Sequence, residues 1–346
     1  MAFFAERWPA GLLWPLSRLY GRAVNRRNRR YDSGAAPIWR LECPVISVGN
    51  IVTGGTGKTP TVIFLARWLQ KRGKRICILS RGYRRRSRGR VLVSDGERIQ
   101  VTAAEAGDEP LLLAQQLPGV AVVVEADRVA AGRWALGMLG PDIILLDDGF
   151  QHRRLHRDLD IVTFKGLQDF GNGWLLPAGP LREDLAGLNR ADLLWFNGPA
   201  AALRTGPLEA WQEKPQVEAG LAITGCNNME NRALEKTEGV RAILFCGLAD
   251  PEGFLQTARM TGLQIVRFFR YPDHHAYRYR DILELEEAKR TLEAKVIITT
   301  DKDWVKFHPS FQLPPYWYRL TVSVQPDDPV RADGVLQAVC CSSGIL

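Results

Sequence analysis

A glycine-rich segment that ends in lysine and threonine is the part of this 346-residue sequence best suited to chemistry. It runs from Thr53 to Thr59, after the apolar run 43–48 and before the helix-like segment 61–69. Backbone N–H groups in such a loop, at the start of a helix, converge on phosphate oxygens. We predict that Lys58 reaches the outer phosphates of a nucleoside triphosphate and that the Thr59 hydroxyl holds Mg²⁺. The predicted nucleotide-binding residues are Thr53, Gly54, Gly55, Thr56, Gly57, Lys58 and Thr59.

The loop departs from the general phosphate-loop pattern at one position. That pattern has a glycine where this chain has Val52. A glycine-rich turn alone could be merely structural, so the prediction depends on the strand before the loop, the Lys-Thr pair and the helix after it.

Two adjacent aspartates supply the candidate metal site. Asp147 and Asp148 follow the apolar run 143–146, which is typical of a central parallel strand. A carboxylate at the carboxyl edge of such a sheet can hold Mg²⁺ or its water molecules across from Thr59. Burying two adjacent carboxylates for structure alone would be costly, so the pattern favours a functional role.

Phosphoryl transfer also requires a group that accepts the proton of the attacking hydroxyl. Asp108 lies between a glycine and a proline, where it could be this base or could cap the helix 110–116. The other candidates are His274 and His275, which follow Asp273 in a chain with only five histidines. A single loop histidine is more often a surface residue than a base, but a histidine beside Asp273 in a chain with so few histidines is a better candidate than usual.

The elements that must position these residues alternate between apolar strands and helices. This order predicts an α/β fold, with a phosphate-loop type of doubly wound parallel sheet followed by a second, smaller α/β lobe. We predict three parts: an interfacial amphipathic helix at 1–30, a nucleotide-binding α/β domain at 31–215, and linker strands with the smaller lobe at 216–346. A late strand at 316–324 could pair with one at 217–224 and connect the lobes.

The N-terminus combines an apolar stripe with a run of arginines. Six arginines lie between Arg18 and Arg30, with no acidic residue among them. The uninterrupted apolar run 10–16 is far shorter than the roughly 20 residues that span a bilayer. We predict a helix that lies in a membrane interface with its arginines on lipid phosphates, the alternative being a helix packed on the protein's own core. The stripe consists of Phe4, Trp8, Leu12, Leu16, Leu19 and Tyr20.

Composition agrees with a folded protein that binds something anionic. The chain is 46% hydrophobic and long enough for two cores, and its formal net charge is +8. A nucleotide, an anionic membrane surface and nucleic acid would all suit this charge. The six cysteines show no C-x-x-C spacing, which favours a reduced compartment and argues against structural zinc.

The motifs occur in an order that resembles the tetraacyldisaccharide 4′-kinase family, the lipid A kinases. The match extends from about residue 45 to 306, and the block 147–152 (Asp-Asp-Gly-Phe-Gln-His) is its most specific part. The resemblance implies that ATP phosphorylates the 4′-hydroxyl of a tetraacyl disaccharide 1-phosphate at the cytoplasmic face of a Gram-negative inner membrane. The motif blocks are 49–50, 54–60, 80–83, 107–110, 147–152, 180–183, 272–275 and 300–303.

The resemblance also implies roles for individual residues. Asp108 would be the base, and His274 would fix and tune it. Lys58 would act on the phosphates and Thr59 on Mg²⁺. The residues implied to order the metal and the active-site contacts are Asp147, Asp148, Gln151 and Glu183.

Two other classes of protein share part of the pattern. A soluble P-loop NTPase, such as a maturation or metal-insertion factor, would have the same loop and aspartates, but it would not need the aromatic N-terminus or the 273–275 loop. A nucleic-acid-binding protein would use the arginines, but here the aromatic residues follow an apolar stripe instead of a flat basic platform, so nucleic acid is not predicted as a partner. No feature of the sequence specifies an oligomeric state.

Overall fold

The computed structural model describes residues 10–307, 311 and 313–346. Strands and helices alternate along most of the chain, as the apolar runs predict. The strands are β1 Val45–Gly49, β2 Ile76–Ser80, β3 Val91–Asp95, β4 Ala121–Val124, β5 Ile143–Asp147, β6 Leu159–Phe164, β7 Leu193–Phe196, β8 Gln216–Asn227, β9 Arg241–Cys246, β10 Gln264–Arg270, β11 Val296–Thr300 and β12 Trp317–Pro326. The α-helices are α1 Ala10–Asp32, α2 Lys58–Gln70, α3 Ala103–Ala106, α4 Asp108–Gln116, α5 Arg128–Leu139, α6 Ala201–Arg204, α7 Pro251–Arg259, α8 Tyr279–Thr291, α9 Asp301–Trp304 and α10 Pro329–Ser342.

The first half of the chain forms a mostly parallel sheet around β1. The strand order is β7-β6-β1-β5-β2-β4-β3, and only the edge strand β3 is antiparallel to its neighbour. Every residue of β1, β2, β5 and β6 is buried. Helices cover both faces of such a sheet, which is why its strands are continuous apolar runs. The carboxyl ends of β1 and β5 therefore meet at one edge, where the candidate site lies.

The second half continues the same sheet. The order β10-β9-β11-β12 is parallel, and β12 then pairs antiparallel with β8, whose first residues pair with β7. The predicted pairing of 217–224 with 316–324 is confirmed, since Ile223 lies opposite Val322 and Leu221 lies opposite Val324. Hydrogen bonding thus runs through β8 from one half to the other, and the domain boundary at 215/216 stays a prediction.

Helix α1 docks along one side and leaves aliphatic residues in solvent on another. Ser17 is buried and its Oγ accepts a hydrogen bond from Ala178 N (2.9 Å). Leu12, Leu16 and Leu19 are 64%, 53% and 58% exposed. Phe4 and Trp8 of the predicted stripe lie outside the described residues. Within the described ranges, no helix is both long enough and apolar enough to cross a membrane.

The C-terminal helix α10 was not predicted. It begins after Asp328, whose side chain accepts a hydrogen bond from Arg331 N, and Pro329 occupies its first turn. Leu336 and Val339 join the core of the first half. The chain end therefore returns to the first half and covers the sheet near β8 and β12.

Candidate active site

The glycine-rich loop connects β1 to α2, as predicted. Gly57, the residue before α2, has a left-handed backbone (φ 84°), and a side chain there would collide with Asn197. Glycine is therefore required at this position. Lys58 and Thr59 are the first two residues of α2, so the amino end of a 13-residue helix faces the loop.

A buried hydrogen-bond network holds the glycine-rich loop in place from the protein interior. Thr56 Oγ1 accepts from Asn50 Nδ2 (3.0 Å) and lies 2.7 Å from Thr163 Oγ1. Asn197 Nδ2 donates to Thr56 O (2.8 Å) and to Thr61 Oγ1 (3.2 Å). The side chain of Thr56 thus points into the protein, which leaves its backbone as the part that can bind phosphate.

Sequence reasoning did not identify Thr163 and Asn197. Thr163 lies near the carboxyl end of β6, and Asn197 directly follows β7. Buried polar residues at the ends of apolar parallel strands were the available signal. Thr53 was predicted to bind nucleotide. In the structure its backbone N–H donates a hydrogen bond to Pro180 O (2.8 Å).

Lys58 lies close to the second aspartate of the pair. Its Nζ is 3.7 Å from Asp148 Oδ1, and Arg182 Nη1 is 2.9 Å from both Asp148 oxygens. Burial raises the pKa of Asp148, but Lys58 and Arg182 outweigh burial and hold that pKa below its ordinary value. Asp148 also has a left-handed backbone (φ 54°), a costly conformation for a non-glycine residue that is common at functional sites.

Asp147, the last residue of β5, is buried and only half satisfied. Its Oδ2 accepts from Ser80 Oγ (3.0 Å), whereas Oδ1 has no hydrogen-bond partner within the described part of the chain. Burial, with Glu109 and Asp148 nearby, raises the pKa of Asp147 to about 7. An unpartnered carboxylate oxygen beside a phosphate loop has the chemistry of a Mg²⁺ ligand, so the residues present fit a divalent cation.

Gln151 and Glu183 form one connected pair. Gln151 Nε2 donates to Asn50 O (2.8 Å) and to Glu183 Oε1 (2.9 Å). Glu183 is fully buried, and its Oε2 accepts from Arg190 Nη2 (2.8 Å) and Asn28 Nδ2 (3.0 Å). Both Glu183 oxygens therefore have partners, and the pair links helix α1 to the end of β1.

Asp108 and His274 come together although 166 residues separate them. His274 Nδ1 is 3.0 Å from Asp108 Oδ2. Asp108 is the first residue of α4, and His274 lies in the loop between β10 and α8 with a left-handed backbone (φ 61°). The Tyr83 ring packs edge-on against the imidazole at 5.7 Å between centroids. The second half thus supplies one member of the predicted pair and the first half the other.

His275 has a different environment. Its Nε2 is 2.9 Å from Asp281 Oδ2, and its ring stacks on Tyr271 with 4.6 Å between centroids. These contacts anchor the loop that carries His274. The structure therefore places the first histidine of the pair against Asp108, which is where the sequence prediction assigned it.

Two lysines surround the Asp108–His274 pair. Lys302 Nζ is 3.4 Å from His274 Nε2, and Lys306 Nζ is 3.8 Å from Asp108 Oδ2. Both lysines belong to the segment after β11. Block 300–303 is one of the motifs of the sequence but has no predicted role, and Lys306 carries no local signal.

A glycine-rich loop at the start of a helix on one side and a paired aspartate and histidine on the other are typical of an α/β phosphotransferase that uses a nucleoside triphosphate. Residues 9–340 match the profile of the family described as Tetraacyldisaccharide-1-P 4'-kinase, or LpxK. The chain belongs to this family, and the resemblance drawn from its motifs is confirmed.

Similar proteins carry the same description. A tetraacyldisaccharide 4'-kinase of Geobacter sulfurreducens is 42% identical over 331 residues, which cover 93% of this chain and 91% of that relative. A kinase of the same name from Syntrophus aciditrophicus is 39% identical over 346 residues, which cover 93% of this chain and 91% of that protein.

A solved structure shares the fold. It is the "apo" form of LpxK from Aquifex aeolicus in complex with ATP, with 35% sequence identity, a TM-score of 0.77, and coverage of 95% of this chain and 99% of that one. The predicted α/β fold with a large, mainly parallel sheet is confirmed. The predicted enzyme class, an ATP-dependent tetraacyldisaccharide 4′-kinase of lipid A biosynthesis, is also confirmed and is supported over the alternative of a soluble NTPase.

Proposed function

We propose that this kinase transfers the γ-phosphoryl group of ATP, with Mg²⁺, to the 4′-hydroxyl of a tetraacyl disaccharide 1-phosphate. The observation that carries the proposal is the Asp108–His274 pair, since a 3.0 Å contact between the two halves creates a proton acceptor. A kinase that only positioned a nucleotide would not need such a pair.

Asp108 is the base in this proposal. His274 donates from Nδ1 to Asp108 Oδ2, which fixes the rotation of the carboxylate, while Lys302 near Nε2 favours the tautomer with its proton on Nδ1. The carboxylate of Asp108 then accepts the proton of the 4′-hydroxyl while the hydroxyl oxygen attacks the γ-phosphorus and ADP leaves. The contact between His275 and Asp281 anchors the loop, so His274 keeps its strained backbone conformation and its ring stays in place.

Residues of the first half neutralise the charge of the phosphates. The glycine-rich loop and the amino end of α2 contact phosphate oxygens, and Lys58 reaches the outer phosphates. Asp148 holds Lys58 in place and is itself fixed by Arg182. We assign Thr53, Gly54, Gly55, Thr56 and Gly57 to the nucleotide-binding loop, with Thr53 acting through its contact to Pro180.

Thr59 and Asp147 would hold Mg²⁺ directly. Within the described part of the chain, Asp147 Oδ1 is buried without a hydrogen-bond partner, whereas both oxygens of Glu183 accept hydrogen bonds. Glu183 and Gln151 therefore order the surroundings of the metal site. When bound, Mg²⁺ supplies charge neutralisation at the transferring phosphate.

We place the enzyme at the cytoplasmic face of the bacterial inner membrane as a peripheral protein. Helix α1 presents exposed leucines for the interface. A groove of about 520 Å³ on the same helix is lined mainly by arginines and suits anionic headgroups or the 1-phosphate of the substrate. Extracting acyl chains into water would cost about 0.8 kcal/mol per CH₂, so the substrate stays in the bilayer.

A phosphorylation assay tests the proposed reaction. Purified protein, γ-labelled ATP, Mg²⁺ and a tetraacyl disaccharide 1-phosphate in mixed micelles should yield labelled lipid. A lipid whose 4′-oxygen is methylated is the matched control and should remain unlabelled. ATP hydrolysis at the same rate with and without lipid, together with unlabelled lipid, would contradict the proposal.

A further inference from the structure

Of the segment 300–306, only Lys302 has a role in the reaction described above, although Lys306 also lies beside the Asp108–His274 pair. We propose that Lys306, held in place by Asp303, is a positioning residue for Asp108. This inference rests on the proposed role of Asp108 as the base. Lys306 acts through that carboxylate and does not itself contact the substrate.

Asp303 is built as a buried anchor. It is fully buried, and its Oδ2 accepts from Gly247 N (3.0 Å) and Thr300 Oγ1 (2.9 Å). Its Oδ1 accepts from Lys306 Nζ at 2.7 Å. These contacts fix Asp303 within α9, just after β11, and Asp303 in turn fixes the ammonium group of Lys306.

The anchored ammonium faces the candidate base. Lys306 has only 6% of its side chain exposed, and its Nζ is 3.8 Å from Asp108 Oδ2. The same oxygen is 3.0 Å from His274 Nδ1. Two groups thus hold Oδ2, and within the described residues no hydrogen bond engages Oδ1, so Oδ1 can accept the substrate proton. A carboxylate held in this way is oriented before the substrate arrives.

A purely structural role would be the neutralisation of Asp303. That role accounts for the 2.7 Å ion pair, but it does not require an ammonium group beside Asp108 in the other half of the chain. Lys302 does not duplicate the contact, because its Nζ lies near His274 Nε2, Glu109 and Asp273. Lys306 therefore holds the base from a direction that Lys302 does not reach.

The test must separate positioning from folding. Lys306→Met alone would leave Asp303 buried without its partner, which is strongly destabilising. The pair Asp303→Asn/Lys306→Met removes both charges and keeps the amide and hydroxyl contacts of residue 303. Lys306→Gln, which retains a donor for Asp303 but no charge, is a second variant. Lys289→Met is the matched control. Lys306 Nζ lies 5.6 Å from the centre of the Tyr277 ring, and Lys289 Nζ similarly lies 4.0 Å from the centre of the Tyr316 ring but outside the site.

Lipid phosphorylation, nucleotide affinity and thermal unfolding are measured for each variant. We expect kcat to fall roughly 30-fold in Asp303→Asn/Lys306→Met and in Lys306→Gln, with the Kd for ATP within about twofold of the parent protein. Lys306→Arg should recover most of this loss, and Lys289→Met should behave as the parent. Unchanged kcat in either charge-removing variant that retains its thermal transition overturns the inference.

A second measurement asks whether Lys306 acts through Asp108. In an Asp108→Asn background, where residual turnover remains measurable with labelled ATP, adding Asp303→Asn/Lys306→Met should cost less than about twofold. An additive loss overturns the inference even if Asp108 is the base. Full activity in Asp108→Asn alone would instead refute the proposed role of Asp108.

Discussion

Burial shifts the pKa of two residues, Asp147 at the end of β5 and His152 in the loop after it. It raises the pKa of Asp147, together with Glu109 and Asp148, to about 7. It lowers the pKa of His152 from 6.5 to about 4, with a further contribution from Arg128. In both residues the neutral form is favoured, because water no longer stabilises the charge. Near neutral pH, the cation that we propose for Asp147 would therefore compete with a proton.

The shift at His152 predicts a loss of stability in acid. Because the folded pKa of His152 lies below 6.5, its contribution to stability is present above pH 6.5 and is lost as pH falls toward 4. Between pH 7.5 and pH 5 the parent protein should lose roughly 1 kcal/mol more unfolding free energy than His152→Leu, after allowance for partial exposure. Urea denaturation at the two pH values measures this difference, with His156→Leu on the same loop as the control. Equal losses in the parent and His152→Leu would contradict the assignment.

At the scale of elements, helix α1 has two sides with different surroundings. Tyr20 OH donates to Arg182 O (2.8 Å), and Asn28 donates to Glu183 (3.0 Å), so the docked side supports residues of the active site. The other side exposes aliphatic residues, as expected for a helix that meets an apolar phase. A large deletion would disturb both sides together, so substitutions on the exposed side are the sharper test.

Replacing Leu12, Leu16 and Leu19 with serine should weaken membrane association. These side chains are more than half exposed, so the fold should be retained while affinity for vesicles falls on the order of tenfold or more. Co-sedimentation with anionic phospholipid vesicles measures this change. Leu283→Ser, at a similarly exposed leucine (51%) on α8, is the control. A triple variant that still pellets fully would count against the interfacial helix.

At the scale of the whole molecule, the site forms where the two halves of the chain meet. Lys165 Nζ is 2.6 Å from Asp250 Oδ2, and Arg84 Nη1 donates to Asp273 O (3.1 Å), so further contacts join the halves beside the Asp108–His274 pair. The proposed nucleotide loop belongs entirely to the first half, whereas the proposed proton acceptor, Asp108 with His274, requires both halves. Binding of nucleotide and transfer of phosphate should therefore be separable by mutation.

Asp108→Ala tests this separation. Loss of the base should lower kcat by roughly 10²- to 10⁴-fold, while ATP binding persists because the phosphate loop is untouched. His274→Ala should lose part of the same activity, and the double variant should be little worse than Asp108→Ala, because the two residues act as a unit. Steady-state kinetics and ATP binding measure these effects, with the exposed Asp327→Ala as the control. Unchanged turnover in Asp108→Ala would remove Asp108 as the base.

Most of the strand and helix framework could be predicted because its signals are local. The mostly apolar run 159–164 predicts a strand with the bounds observed for β6, since a run of this length between turn residues suffices to define a buried strand. Helix α10 was missed, because part of its stability comes from long-range contacts such as Trp68 Nε1 donating to Asp333 (2.7 Å). The side chain of Thr56 could not be placed from the sequence, because Thr163 and Asn197 lie on distant strands.

The sequence by itself determined which chemical groups are available: a glycine-rich loop before Lys58, two aspartates at the end of β5, and a motif order that identifies the family. Spacing along the chain carries that information because the ends of neighbouring parallel strands meet at one edge of the sheet. The motif order also implied that His274 pairs with Asp108. Only the tertiary structure decided that both oxygens of Glu183 accept hydrogen bonds and that Lys306 lies 3.8 Å from Asp108. Asn28 and Lys306 make these contacts with residues far away in the chain, so the contacts depend on packing and have no local signature.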